Sequence, residues 1–405
     1  MKRSIFGVLV AILPFLVVGQ TSSQQLTNAL EQSFNNSTIP GVAVAIVNKD
    51  KVLYHNAFGY ADITNKKPYT TQTIHNIGSI SKTFIGVALI QLVEAGQLDL
   101  DADINQYLPF SIIHPYHPNT PITLRQLSTH TASIQDRHLN YGLRSYVSDD
   151  NRRGNRKGLP LIYKIQFKRM LKNQKLPLGE FLKKILSKKG KWYRKKNFYK
   201  HAPGTIEEYT NIGAALAAYI IEEVTGEKYA DYVKNNILQP LNMNATGWTM
   251  EDIESSQFAA RYIGEKVVPD YELITYPDGG LISSTADLST YLMAMMQGYY
   301  GESNILSAIS FQTMMQNQYE LSPLSKSAAT IKSRRGVFWD IFGQEGNGDI
   351  GHSGSDPGIT TFMYFDPMIG VGCILTTNVD SHSHHSEYVE LWKLLIKHRG
   401  DFIEN

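Results

Sequence analysis

Gly78-Ser79-Ile80-Ser81-Lys82 is the stretch on which the reading of this chain turns. Beyond it, Ile80, Phe84, Val87, Ala88, Ile90 and Leu92 make a mostly apolar run, and Gly96 supplies a stop, so Ser79 to Ala95 is predicted to be a buried helix. Ser79 and Lys82 then stand three residues apart at the helix start, on one face and within contact range. A serine hydroxyl is a weak nucleophile until a base takes its proton, and a helix N-terminus favours negative charge developing beside it. A free lysine, with a pKa near ~10.4, is a poor base at neutral pH unless burial or neighbouring cations lower it. Four-residue matches of this kind also arise by chance. The competing reading is a serine that caps the helix beside a solvated lysine.

Working outward, Gly41 to Val47 and Val52 to Tyr60 are predicted strands joined through Asn48-Lys49-Asp50. Asp349 to Ser353, Gly358 to Phe365 and Val371 to Thr377 form three more, and helices are predicted at Leu26 to Phe34 and Glu387 to Lys397. Further helices are predicted at Leu124 to Thr129, Pro177 to Ser187, Asn211 to Thr225, Tyr229 to Ile237 and Thr285 to Gln297. Strands near both ends with helical sequence between them predict a mixed α/β part, about 20–78 and 270–400, interrupted by a helical part, about 79–269. Met1-Lys2-Arg3 followed by the 14 apolar-run residues Ile5 to Val18 reads as a signal peptide over 1–19, cut after Gly19, and predicts export to the periplasm or medium.

Two further segments keep company with the first. Tyr209-Thr210-Asn211 follows the turn-like Ala202-Pro203-Gly204-Thr205, and His352-Ser353-Gly354 lies in a predicted strand ahead of Ser355-Asp356-Pro357-Gly358. In this order they resemble the serine β-lactamase and penicillin-binding-protein superfamily. The likeness is closer to the class C β-lactamase-related branch, with its D-alanyl-D-alanine carboxypeptidases, D-aminopeptidases and esterases. Supporting stretches are Ile122 to Thr131, Pro240-Leu241-Asn242-Met243 and Gly279 to Leu288, and the resemblance runs from about Leu26 to Lys397.

The resemblance implies an antiparallel sheet of about five strands flanked by helices, with an inserted helical domain and the site in the cleft between them. It makes Ser79 the nucleophile, Lys82 its proton partner and Tyr209 the phenol that handles the serine proton and later activates water. Asn211 would bind the substrate amide and steady Lys82. The backbone amides of Ser79 and Ser355 would receive the oxyanion, with Gly354 letting the backbone approach. His352 stands where many relatives carry lysine, and in place of a permanent charge it offers a ring that is partly charged near neutrality or donates a neutral hydrogen bond. Amide, peptide and β-lactam hydrolysis, ester hydrolysis, and slow acylation without turnover all remain open on this scaffold. No metal or organic cofactor is implied.

Charge adds one more expectation. Between Arg152 and Lys200 lie 18 Lys and Arg against a single acid, Glu180, although the whole chain has a net charge of only +2. Leu178, Phe181, Leu182, Ile185 and Leu186 share one helical face there, and Lys183, Lys184 and Lys188 the other. This basic insertion, about 136–200, is therefore a packed helix with a solvated lysine face, or else a patch for an anionic surface such as a wall polymer. Nucleic acid is not an expected partner of an exported protein. His382-Ser383-His384-His385 lacks carboxylate or cysteine companions at metal-ligand spacing, and Cys373, the single cysteine, is expected to pack as a small hydrophobe.

Overall fold

The computed structural model describes residues 13–148, 157–303, 305–321, 334–342 and 348–403, and in its first helix the side chains from Ser22 onward. One antiparallel sheet organises the molecule. Its strands are β1 (Gly41–Val47), β2 (Val52–Asp62), β3 (Lys67–Pro68), β4 (Arg334–Arg335), β5 (Asp340–Ile341), β6 (Ile350–Asp356), β7 (Ile359–Asp366) and β8 (Val371–Thr377). They lie in the order β4-β5-β6-β7-β8-β1-β2-β3. The five long strands are those expected; the strand count rises to eight because β3, β4 and β5 are two-residue edge pieces too short to leave a periodic trace.

Central position explains the composition of β1 and β8, which pair from Val42↔Thr377 to Val47↔Gly372 and are buried at every residue. A strand covered on both faces has no solvent side, so Gly41 to Val47 runs apolar throughout without alternating. Cys373 sits opposite Ile46 and Tyr364 in the middle of this layer, and burial pushes its thiol up to about 12, which makes it an inert packing residue.

The main helices are α1 (Leu13–Asn35), α2 (Ser81–Glu94), α3 (Leu124–Ser128), α4 (Asn211–Thr225), α5 (Thr285–Tyr299) and α6 (His385–His398). Leu26 and Leu30 of α1 and Tyr388, Leu391 and Leu395 of α6 pack with Val42, Val44 and Ile46 on one face of the sheet. Phe84 and Val87 of α2 and Leu288 and Leu292 of α5 pack with Ala45, Val47 and Ile374 on the other. The stacked rings of Phe84 and Tyr291, 4.0 Å apart, tie α2 to α5. Every residue of α2 but Gln91, Val93 and Glu94 is buried, as its all-round apolar sequence predicts.

Helix α1 begins at Leu13, earlier than the predicted Leu26, and continues through the expected junction after Gly19; residues 1–12 of the predicted signal peptide lie outside the described residues. Among the described residues no helix is long and apolar enough to cross a membrane. In the basic insertion, Leu178–Leu186 packs its apolar face inward while Lys183 and Lys188 are exposed and Lys184 pairs with Glu180. Leu161–Met170 is a helix that periodicity missed, because Leu161, Ile162 and Ile165 are exposed and blur its apolar stripe.

Candidate active site

Ser79 lies in a 3-10 turn, Gly78–Ile80, that leads straight into α2, and no side chain caps that turn. Lys82, one turn on, is completely buried. Its Nζ donates to Ser79 Oγ at 2.9 Å, to Asn211 Oδ1 at 2.8 Å and to the backbone carbonyl of Asp278. Three acceptors around one ammonium match its three protons, which removes the alternative of a solvated lysine. The Tyr209 hydroxyl donates to the same Ser79 Oγ at 2.8 Å, and Lys82 Nζ lies 5.1 Å from the centre of the Tyr209 ring. Ser79, Lys82, Tyr209 and Asn211 therefore form one hydrogen-bonded group.

Asp136 holds the second segment of that group in place. Its carboxylate accepts from Thr210 Oγ1 at 2.8 Å, Asn211 N at 2.5 Å and Ile212 N at 3.0 Å, at the N-terminus of α4. Helix N-termini carry unpaired N–H groups and favour an anion. Burial still pushes the Asp136 carboxyl above its ordinary range, against the pull of these bonds. Thr210 also caps α4 through Gly213 N at 3.4 Å. His130, at φ 58°, lays its ring 4.3 Å from that of Tyr209 and accepts from Thr210 N at 3.3 Å. Burial, with Arg335 and Lys82 nearby, holds His130 well below its usual pKa, so it packs as a neutral ring.

Strand β6 forms the facing wall. A Cβ on Gly354 would lie 2.0 Å from the Ile77 carbonyl oxygen, and one on Gly78, at φ +56°, would lie 2.7 Å from Ser355 N. Glycine at both positions lets the turn carrying Ser79 press against the strand carrying Ser355. The strand also continues further than expected, to Asp356, because Ser355↔Thr360 and Asp356↔Ile359 stay paired across a two-residue Pro357-Gly358 turn with Gly358 at φ +85°. Ser355 thus belongs to the strand edge.

His352 corrects one expectation. Its Nδ1 lies 2.6 Å from the Ser353 carbonyl oxygen, which can only accept, so Nδ1 carries the proton and the neutral ring presents Nε2 as an acceptor. Nε2 is buried with no hydrogen-bond partner among the described residues. The ring faces Tyr209, with centroids 6.3 Å apart. Burial, reinforced by Lys82 and Arg335, pushes its pKa down to about 3. NMR of the labelled imidazole is expected to show one neutral tautomer, protonated at Nδ1, from pH 5 to pH 8; titration within that range would show that the ring is solvated.

Sequence motifs did not point to four other residues of the site. Arg335, from β4, is the one Lys or Arg on the cleft wall among the described residues; its Nε donates to Glu207 at 2.8 Å and it pairs with Asp340. Asp278, beneath Lys82, accepts from Tyr141 at 2.6 Å, and Asp356 accepts from Tyr146 at 2.5 Å. Asp136 is the fourth. Asp356 was legible only as part of a turn, and the others lie in no local pattern.

Burial pushes Asp278 up to about 7 from an ordinary 3.8, although Lys82 and its hydrogen bonds pull the other way. Its folded form then holds a proton that the unfolded chain has released, so this group lowers stability as pH rises from about 4 to about 7. Asp278→Asn is expected to lose that component, so its melting temperature, relative to native, improves by a few degrees between pH 5 and pH 8. An identical pH dependence in both proteins would refute the assignment.

The cleft has a volume of about 480 Å³ and is lined by Ser79, Tyr209, Asn211, His352, Gly354 and Ser355, among others. A larger cavity of about 830 Å³ lies behind Leu273, which both share, and is walled mainly by apolar groups such as Leu178, Trp248, Phe258 and Tyr276. It contains none of the hydrogen-bonded quartet, so size alone does not mark the reactive site.

A mixed α/β fold with a large antiparallel sheet and a cleft holding a serine, lysine, tyrosine and asparagine defines an enzyme of the serine hydrolase type. Residues 26–394 match the beta-lactamase family, and the chain belongs to that family. It is similar to protein flp of Staphylococcus aureus (strain MRSA252), 25% identical over 95% of this chain and 67% of that protein. It is also similar to a penicillin-binding protein of Bacillus subtilis (strain 168), 25% identical over 85% of this chain and 69% of that one. Among solved structures, the octameric penicillin-binding protein homologue from Pyrococcus abyssi superposes with a TM-score of 0.69 and 26% identity, covering 92% of this chain and 77% of its own.

Proposed function

We propose that this enzyme forms an acyl-enzyme on Ser79 and hydrolyses amide or ester bonds of D-amino-acid peptides, with reactivity toward β-lactams. The observation that carries this reading is the convergence of Lys82, Tyr209 and Asn211 on Ser79. Lys82, saturated by three acceptors, acts as a fixed cation. Tyr209, beside that cation and within hydrogen-bond reach of Ser79 Oγ, first gives up its own proton and as the phenolate takes the serine proton while Oγ attacks the acyl carbon. The backbone amides of Ser79 and Ser355, brought together by Gly78 and Gly354, receive the oxyanion. Tyr209 then passes that proton to the departing amine or alcohol, and the phenolate so regenerated takes a proton from the attacking water and delivers it to Ser79 Oγ as the acyl bond breaks. Neutral His352 accepts a hydrogen bond from the leaving-group side. Arg335, on the same wall, is paired with Glu207 and Asp340 and so does not replace the permanent charge that a lysine at position 352 would have given.

The relatives named as penicillin-binding proteins support the choice of acyl donor, and the basic start and apolar run of residues 1–19 support a site of action outside the cytoplasm. Incubation with benzylpenicillin followed by proteolysis and mass spectrometry is expected to place the adduct on the peptide containing Ser79. An adduct on any other residue, or none, overturns the reading.

A further inference from the structure

One carboxylate in the cleft has no role in this chemistry. Asp356 lines the cleft at the end of β6, and its Oδ1 accepts from Tyr146 at 2.5 Å. Oδ2 has no hydrogen-bond partner among the described residues and faces Gly279, where a Cβ would lie 3.5 Å away. The other acids of the cleft are engaged: Asp278 accepts from Tyr141, and Asp340 pairs with Arg335 and accepts from Tyr364 at 3.2 Å. The nearby cations are engaged as well. Arg261 donates to Asn76 at 2.6 Å and Asp270 at 2.9 Å, and Lys82 is saturated by its three acceptors.

Position along the strand assigns the open oxygen to one part of the substrate. His352 and Arg335 stand at one end of the β6 edge and Asp356 stands at the other, four residues on, or about 13 Å at ~3.3 Å per residue. Ser79 lies between them, its turn packed against Gly354 and Ser355. Tyr209, beside His352, is the group that protonates the leaving group, so the leaving group occupies the His352 end. The acyl portion must extend the opposite way, toward Asp356. Resting on the Ser79 reading above, we propose that Asp356 binds an ammonium group on the acyl side of the substrate, so that the preferred acyl donors carry a free amine.

Two features support a cationic ligand. The Asp356 carboxyl is pushed up to about 6 by burial, against the pull of Tyr146, Arg261 and Lys82, and a bound cation relieves that cost of dehydration. Tyr146 fixes the carboxylate from one side only and leaves the cleft side free, which is how a recognition group is held in a single orientation.

The test compares acylation of the enzyme by ampicillin and by benzylpenicillin, which differ by one amine on the acyl side chain. Two penicillins with the ammonium one and three methylenes further out serve as a ruler. Acylation rate over concentration is followed by intact-mass spectrometry for the native enzyme, Asp356→Asn and Asp356→Glu. For at least one amine the ratio to benzylpenicillin is expected to fall on the order of 30-fold in Asp356→Asn, chiefly through apparent affinity, and to recover in part in Asp356→Glu. A merely structural carboxylate would lower all rates together, so an unchanged ratio for every amine overturns the proposal. Failure of all the penicillins to acylate the native enzyme overturns instead the Ser79 reading, and this proposal with it.

Discussion

Replacing Ser79 by alanine is expected to lower turnover of every acyl substrate on the order of 10⁵-fold and to abolish covalent labelling by a fluorescent penicillin. Residual hydrolysis is expected from the proposed backbone donors of the cleft, which would still polarise a bound carbonyl with no nucleophile to direct at it. The fold should not suffer. Ser79 caps no helix, and among the described residues its Oγ is bonded only to Lys82 and Tyr209, so truncation removes two contacts at a partly exposed position. Circular dichroism and melting of Ser79→Ala should therefore match native while the label disappears. Equal labelling of the two proteins would sink the assignment.

Lys82→Met is the second large effect, with an expected loss of about 10³-fold in kcat/KM and a melting temperature that moves by only a few degrees. Lys82 is the cation beside Tyr209, and without it the phenolate that must take the serine proton has no counter-charge. Its removal also frees Asn211, which Lys82 anchors at 2.8 Å. Stability is a balance of opposing terms. Burying an ammonium carries a penalty of several kcal/mol, which methionine of similar volume escapes. Against this, Asn211 Oδ1 and the Asp278 carbonyl lose a donor, at about 1–3 kcal/mol each. A variant that retains activity within tenfold would remove Lys82 from the mechanism, and one that unfolds would show a structural role instead.

Much of this was legible in the chain itself. Helix α4 and strands β1 and β8 have the bounds predicted for them, because an apolar run closed by Gly226 or by polar turns leaves the backbone few alternatives. Ser79, Lys82, Tyr209 and Asn211 were all named from their segments, and they meet. What local pattern misjudged was the state of each group. His352, expected to donate, accepts, because a carbonyl one residue away claims its only proton. Asp136 lies in a segment read as a basic insertion, yet it holds Thr210, Asn211 and Ile212 from 74 to 76 positions away.

By itself, then, the sequence determined which reactive groups exist, their order, and the helices and strands that carry them, since periodicity and turn residues act over a few neighbours. Only the tertiary structure decided what those groups are to one another. The three acceptors of Lys82 come from positions 3, 129 and 196 residues away, and only their meeting makes it a dry, saturated cation. Protonation and hydrogen-bond direction depend on dehydration and on partners brought from distant parts of the chain, and neither exists until the sheet and helices have closed around the cleft.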